Sequence, residues 1–272
     1  MSDRRAIGVF DSGLGGLTVV KELRRVLPNE DIVYFGDTGR VPYGTRSRDT
    51  IRKYAAQDER FLLTHNVKAI IAACGTVSSV ASDLAKDLPV PYFEVVSHAA
   101  KSAVNATKNR KIGVIGTAAT INSGQHEKHI KALMPEAEVT ACSCSMFVPL
   151  VEEGWYSAED IVVTETVRRY LEPIMKSGAD TLILGCTHYP VLSGAIKKVL
   201  GNGVTLINAG VATAEAVKDY LDNQGLLNNG EKIGDTDFFV SDKPDSFRRI
   251  ASVLLDSDID DGKVEQVNIS SL

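Results

Sequence analysis

"AIIAACGT" (residues 69–76) and "TLILGCTH" (residues 181–188) decide how this chain folds. Each is an aliphatic run too short for a helix. Each ends in a small residue and a cysteine, with a threonine within two positions of it. Short runs rich in Ile, Leu and Ala are what a strand buried on both faces requires, and parallel sheets bury both faces. The segments that follow, "TVSSVASDLAKDL" (76–88) and "THYPVLSGAIKKVL" (187–200), read as helices, and Pro190 suits a first turn. A strand that passes through a cysteine into a helix sets that cysteine beyond the carboxyl end of a sheet. Open α/β sheets bind their ligands there.

Outward from these two segments the same alternation repeats. "AIGVF" (6–10), "DIVYF" (31–35), "KIGVIG" (111–116), "EVTAC" (138–142) and "VTLIN" (204–208) read as further buried strands. Helices are expected at 17–27, 47–65 and 157–178; the last opens at Ser157, with Asp160 three residues on, and closes at Gly178. This order gives an α/β fold with parallel sheets. "IGVFDSG" (7–13) matches "IGVIGTA" (112–118), and the two cysteine segments match in the same order. The pattern is that of a duplicated unit. The tail, 228–272, is more polar but carries "TDFFVS" and a helix candidate near 244–255, so it reads as a terminal extension of a domain.

The chain has 272 residues and a formal net charge of -5, enough for two domains and without the basic stripe that nucleic acid demands. The apolar run before Asp11 is shorter than a secretory signal or a membrane span needs. A cytoplasmic protein with reduced thiols is expected. Cys142 and Cys144 form a C-x-C with no partner spacing that would complete a zinc set, so no metal is expected. "GLGG" (13–16) is followed by no G-K-[ST] and belongs to no G-x-G-x-x-G, so no nucleotide is expected. A thiol at a helix start feels the positive end of the helix dipole, which favours thiolate. Two related thiols facing one cleft would reach a substrate from opposite sides. Inversion at a tetrahedral carbon is the chemistry that uses two such groups. A cysteine nucleophile would instead want a paired histidine, and only His188 is near a cysteine in sequence.

Six stretches now point one way: "VFDSGLGGLTV" (9–19), "YFGDTGRVPYG" (34–44), "AACGTVSS" (72–79), "IGVIGTAATINSG" (112–124), "FVPLVEEG" (147–154) and "LILGCTHYP" (182–190). Together they resemble the bacterial glutamate racemases of the aspartate/glutamate racemase superfamily, which need no cofactor. The resemblance implies two pseudo-symmetric α/β domains flanking a central cleft: residues 1–97 completed by 207–272, and residues 98–206. It implies Cys74 and Cys186 as the proton carriers, the first acting on the D enantiomer and the second on the L. Asp11 and Ser12 would contact substrate, Asp11 also assisting Cys74. Tyr43 and Gly44 would hold the side-chain carboxylate through backbone N–H groups. Thr76, Thr187 and His188 would hold the amino-acid head group, with His188 accepting or relaying the proton of Cys186. Glu152 matches the family's acid, and Thr117, Thr120 and Ser123 would add hydroxyls. Gly75 stands where the family usually has Asn, so one amide contact to substrate is missing and a weaker hold on it is expected. The implied activity is L- and D-glutamate interconversion supplying peptidoglycan, with glutamate as the small-molecule partner, no cofactor, no nucleic acid, no membrane, and a homodimer. A racemase of aspartate or another amino acid, or a regulatory binder without catalysis, are the alternatives.

Overall fold

The computed structural model of the chain describes residues 3–255 and 263–269. Residues 1–2, 256–262 and 270–272, which the expected first domain includes, lie outside the described residues. Among the described residues the strands are β1 (Ile7–Asp11), β2 (Ile32–Gly36), β3 (Ala69–Ala72), β4 (Tyr92–Glu94), β5 (Lys111–Gly116), β6 (Glu138–Ser143), β7 (Thr181–Leu184), β8 (Thr205–Asn208), β9 (Thr236–Val240) and β10 (Val264–Gln266). They form two sheets, in which every pairing is parallel.

The first sheet runs β10-β9-β2-β1-β3-β4 and the second β6-β5-β7-β8. The order β2-β1-β3-β4 is repeated as β6-β5-β7-β8, which is the duplication read from the sequence. Cys74 follows β3 and Cys186 follows β7, so the two thiols occupy equivalent places. In this strand order the crevice opens between the ends of the first and third strands of each unit. The tail adds to the first sheet: β9 pairs with β2, Ile32 opposite Thr236. β8 keeps all four of its residues paired with β7 and ends at Asn208.

Two helices carry the chain between sheets, Val95–Ala106 outward and Ala209–Asn223 back, and they pack on each other. Ala99, Ala100 and Ala103 are fully buried at that contact, where small side chains let backbones approach. One apolar cluster runs through them from Ile7, Val9 and Leu23 in the first half to Ile112, Val114 and Ile183 in the second. Each large aliphatic side chain buried there contributes roughly 1.5–3 kcal/mol. Among the described residues no helix is long and apolar enough to cross a membrane.

Local readings are corrected at helix ends. The helix expected from Ser157 begins at Ile161; Asp160 caps it, its carboxylate accepting from the N–H groups of Val162 and Val163. Ser157 instead accepts from the Glu159 N–H, a local turn. The helix expected over 76–88 breaks into Gly75–Val80 and a 3-10 turn Ser82–Asp87. The one expected over 187–200 becomes a 3-10 turn Tyr189–Leu192 and a helix Ser193–Leu200. β4 and β10 escaped sequence reading because each has only three residues and lies at a sheet edge.

Candidate active site

In the first half, β1 and β3 are neighbours, and the Ala73 N–H donates to the Phe10 carbonyl at 2.9 Å. This register sets Asp11, Ser12 and Cys74 side by side beyond the strand ends. The Cys74 thiol donates to Ser12 Oγ at 3.5 Å. Asp11 is buried behind them; one carboxylate oxygen accepts from the Gly13 N–H at 3.1 Å and the other has no hydrogen-bond partner among the described residues. Burial pushes the Asp11 carboxyl above its ordinary range, opposed by the charge of His188. Burial, joined by Asp11, pushes the Cys74 thiol up to about 12, with Ser12 opposing. The expectation of a thiolate from the helix dipole is therefore overturned at Cys74. The helix behind it has only six residues, and burial outweighs its dipole.

In the second half, the Gly185 N–H donates to the Ile115 carbonyl at 2.7 Å, which aligns the end of β7 with the end of β5. Cys186 and Thr117 leave from those ends. Nδ1 of His188 lies 3.9 Å from the Cys186 sulfur, and its Nε2 lies 3.2 Å from Glu152 Oε1. Burial alone would depress His188; the hydrogen bonds with Cys186 and Glu152 outweigh it and hold the imidazole up to about 10. His188 is thus a charged donor at neutral pH, to the sulfur on one side and the carboxylate on the other. The Tyr189 hydroxyl donates to the Cys144 carbonyl at 2.9 Å and pins the turn after His188. Cys144 is buried in the apolar core of this half, and Cys142 packs against it.

The halves meet around a cavity of about 300 Å³. Ser12, Tyr43, Gly44, Cys74, Gly75 and Thr76 line it from the first half, and Thr117, Glu152, Cys186, Thr187 and His188 from the second. Thr76 and Thr117 hydroxyls are 3.0 Å apart across the cleft. The Thr18 hydroxyl lies 2.9 Å from the Gly15 carbonyl and 3.1 Å from the Thr187 carbonyl, a tie between the halves that sequence reading missed.

Two expected contacts sit behind the wall of the cavity. Asp11 and Thr120 are each 1% exposed and do not line it. Thr120 bonds the Thr117 hydroxyl at 3.0 Å, and Ser123 donates to the Thr120 carbonyl at 2.6 Å. Tyr43 lines the cavity, but its hydroxyl is turned away. It donates to Asp37 and lies 3.0 Å from Asp58, a buried pair also bound by Arg40. That network anchors the turn Tyr43–Thr45, whose backbone faces the cavity. Sequence reading also missed Val41, Pro42, Ser145, Val148 and Pro149 in the wall. Val148 and Pro149 stand four and three residues before Glu152 on one helix, a spacing that puts them on its face.

Residues 7–217 match the family described as Asp/Glu/Hydantoin racemase. The chain is 42% identical over 268 residues to the glutamate racemase of Geobacter metallireducens, covering 98% of each protein. It is 43% identical over 271 residues to that of Neisseria meningitidis serogroup A, covering 99% of this chain and 97% of the relative. The solved structure of glutamate racemase from Francisella tularensis in complex with D-glutamate superposes with a TM-score of 0.92 at 40% identity, covering 99% of this chain and 100% of that one. Glutamate racemase from Thermus thermophilus in complex with β-chloro-D-alanine superposes with a TM-score of 0.87 at 43% identity, covering all of both chains.

Proposed function

Since the chain belongs to the Asp/Glu/Hydantoin racemase family, we propose that it interconverts L- and D-glutamate by passing the α-proton between two thiols. One observation carries this: Cys74 and Cys186, at equivalent strand ends of two like sheets, line one cavity. Glutamate is the substrate of choice because relatives that match nearly the whole chain are glutamate racemases.

With L-glutamate bound, Cys186 takes the α-proton. An S–H bond forms, the C–H bond breaks, and the electron pair stays on carbon, spread into the α-carboxylate. Cys74, protonated at neutral pH because its thiol is held up to about 12, gives its proton to the opposite face. The sulfur of Cys74 is left as thiolate, which is the state that accepts a proton from D-glutamate. The two half-reactions are mirror images, but their surroundings differ. His188 and Glu152 serve Cys186, and Asp11 and Ser12 serve Cys74. Thr76, Thr117 and Thr187 are assigned to the head group, and the backbone of Tyr43 and Gly44 to the side-chain carboxylate. Thr120 acts through Thr117.

The reading treats 1–97 with 207–272 as one domain and 98–206 as the other. It places the protein in the cytoplasm, making D-glutamate for peptidoglycan. We assign a homodimer; exposed Trp155, Ile161 and Val162 are apolar surface that supports it. The test is incubation of each enantiomer in deuterium oxide, with chiral separation of the products. Glutamate should invert and gain one deuterium at Cα. Exchange with aspartate but not glutamate would overturn the substrate, and inversion without deuterium would overturn the thiol route.

A further inference from the structure

The loop 37–45 gives the cavity Val41, Pro42, Tyr43, Gly44 and Thr45, and its hub is Asp37, a fully buried carboxylate. The two oxygens of Asp37 face different ways. Oδ2 accepts from Arg40 Nε at 2.6 Å and from the Tyr43 hydroxyl, both within the loop. Oδ1 accepts from the Ser241 hydroxyl at 2.7 Å, and Ser241 belongs to the tail.

Sheet register brings these residues together. β2 and β9 are parallel with Gly36 opposite Val240, so the next residues, Asp37 and Ser241, leave neighbouring strands side by side. The Ser241 N–H donates to the Gly36 carbonyl at 3.2 Å. Ser241 Oγ also accepts from the Gly39 N–H at 2.8 Å, so one hydroxyl uses its proton on Asp37 and a lone pair on Gly39. The Asp242 N–H adds a bond to Thr38 Oγ1 at 3.1 Å. A second stretch of tail reaches the same network. Gln57 Nε2 donates to the Ile269 carbonyl at 3.5 Å, and Gln57 Oε1 accepts from Arg40 at 2.6 Å. The tail thus contacts the network that anchors the turn Tyr43–Thr45 through two of its segments, although it lines no part of the cavity itself.

We propose that Ser241 is a positioning residue for substrate binding: acting through Asp37, it holds the turn Tyr43–Thr45 where its backbone receives the side-chain carboxylate of glutamate. The role rests on the racemase reading above. It gives the tail a part in the site, beyond extending the first sheet. The side-chain carboxylate keeps its charge while the α-carbon loses and regains a proton. Its contact with the turn therefore acts alike on ground and transition states, and loosening that contact raises KM while sparing kcat.

The experiment compares wild type, Ser241→Ala, Ser241→Thr and, as control, Thr236→Val. Thr236 carries a buried hydroxyl at the opposite end of β9, where it accepts from Arg24 Nε at 3.0 Å, and it does not line the cavity. Racemisation kinetics are measured with both enantiomers, and melting temperature alongside. For Ser241→Ala, KM for glutamate should rise about 5- to 20-fold with kcat within about threefold. kcat/KM should fall equally in both directions, because the equilibrium constant between enantiomers is one. Ser241→Thr keeps the hydroxyl and should hold KM within about twofold of wild type. Thr236→Val should also hold KM within about twofold, even where its melting temperature falls as far as that of Ser241→Ala. If Ser241→Ala fails to fold, Ser241→Cys keeps the shape with a weaker donor and must show the rise in KM. An active wild type with an unchanged KM in Ser241→Ala overturns this role alone. So does a loss confined to kcat, a Thr variant that does not rescue, or an equal rise in KM in Thr236→Val. A wild type inert toward glutamate overturns the racemase reading as well.

Discussion

The sulfur of Cys186 lies 3.9 Å from Nδ1 of His188, whereas among the described residues no comparable imidazole serves Cys74, whose thiol donates to Ser12. Two thiols in equivalent places on a duplicated scaffold thus work in unlike surroundings.

His188 makes stability depend on alkaline pH. Its folded-state pKa, held up to about 10, stands above the ordinary 6.5. The folded state therefore binds the proton more tightly than the unfolded chain does. This contribution is fully present below about pH 6.5 and is lost as pH rises through about 10. Melting temperature should fall across that window, and His188→Asn should flatten the fall. Equal slopes in the two proteins would contradict the charged assignment.

The two cysteine variants should fail differently. Cys74→Ala and Cys186→Ala should each lose racemisation by more than about 10³-fold, since one face is left unserved. Cys74→Ala should still wash deuterium into L-glutamate without inversion, and Cys186→Ala into D-glutamate. Mass spectrometry after chiral separation reads this directly. Swapped enantiomer preferences would reverse the assigned roles.

Tyr43→Phe should cost both stability and substrate affinity. The hydroxyl serves two buried carboxylates, Asp37 and Asp58, which the substitution leaves without that donor. A loss of about 1–3 kcal/mol is expected in urea denaturation. KM should rise, because the turn facing the cavity loses its anchor. A variant of normal stability and raised KM would mean that the hydroxyl meets substrate directly.

Thr18→Val should loosen the tie between the halves. The substitution keeps shape and removes the hydroxyl that reaches the Thr187 carbonyl at 3.1 Å. A stability change of about 0.5–1.5 kcal/mol is expected, with a larger proportional effect on kcat than Thr164→Val, whose hydroxyl bonds within its own helix at 3.0 Å. Equal effects would deny the tie a part in catalysis.

What the sequence determined by itself was local. Aliphatic runs specified every strand through Asn208 except β4, and the same runs ending at Cys74 and Cys186 placed both thiols at strand ends. Gly178, at φ 70, closes its helix as expected, because a left-handed C-cap is a demand of one residue on its own backbone. Tertiary structure decided what depends on distant neighbours. β9 joins β2 across some two hundred residues, a pairing that neither segment shows alone. Asp11 and Thr120 share motifs with residues that line the cavity but are buried behind it, since motif membership does not specify which way a side chain faces. A helix start beside Cys74 suggested a thiolate, yet burial and Asp11 set the opposite state. Gly75 and Gly185 lie backbone to backbone, a contact that neither motif shows alone. Periodicity and turn chemistry act between residues a few positions apart. Desolvation, charge and the close approach of two backbones are set by whatever the fold brings near.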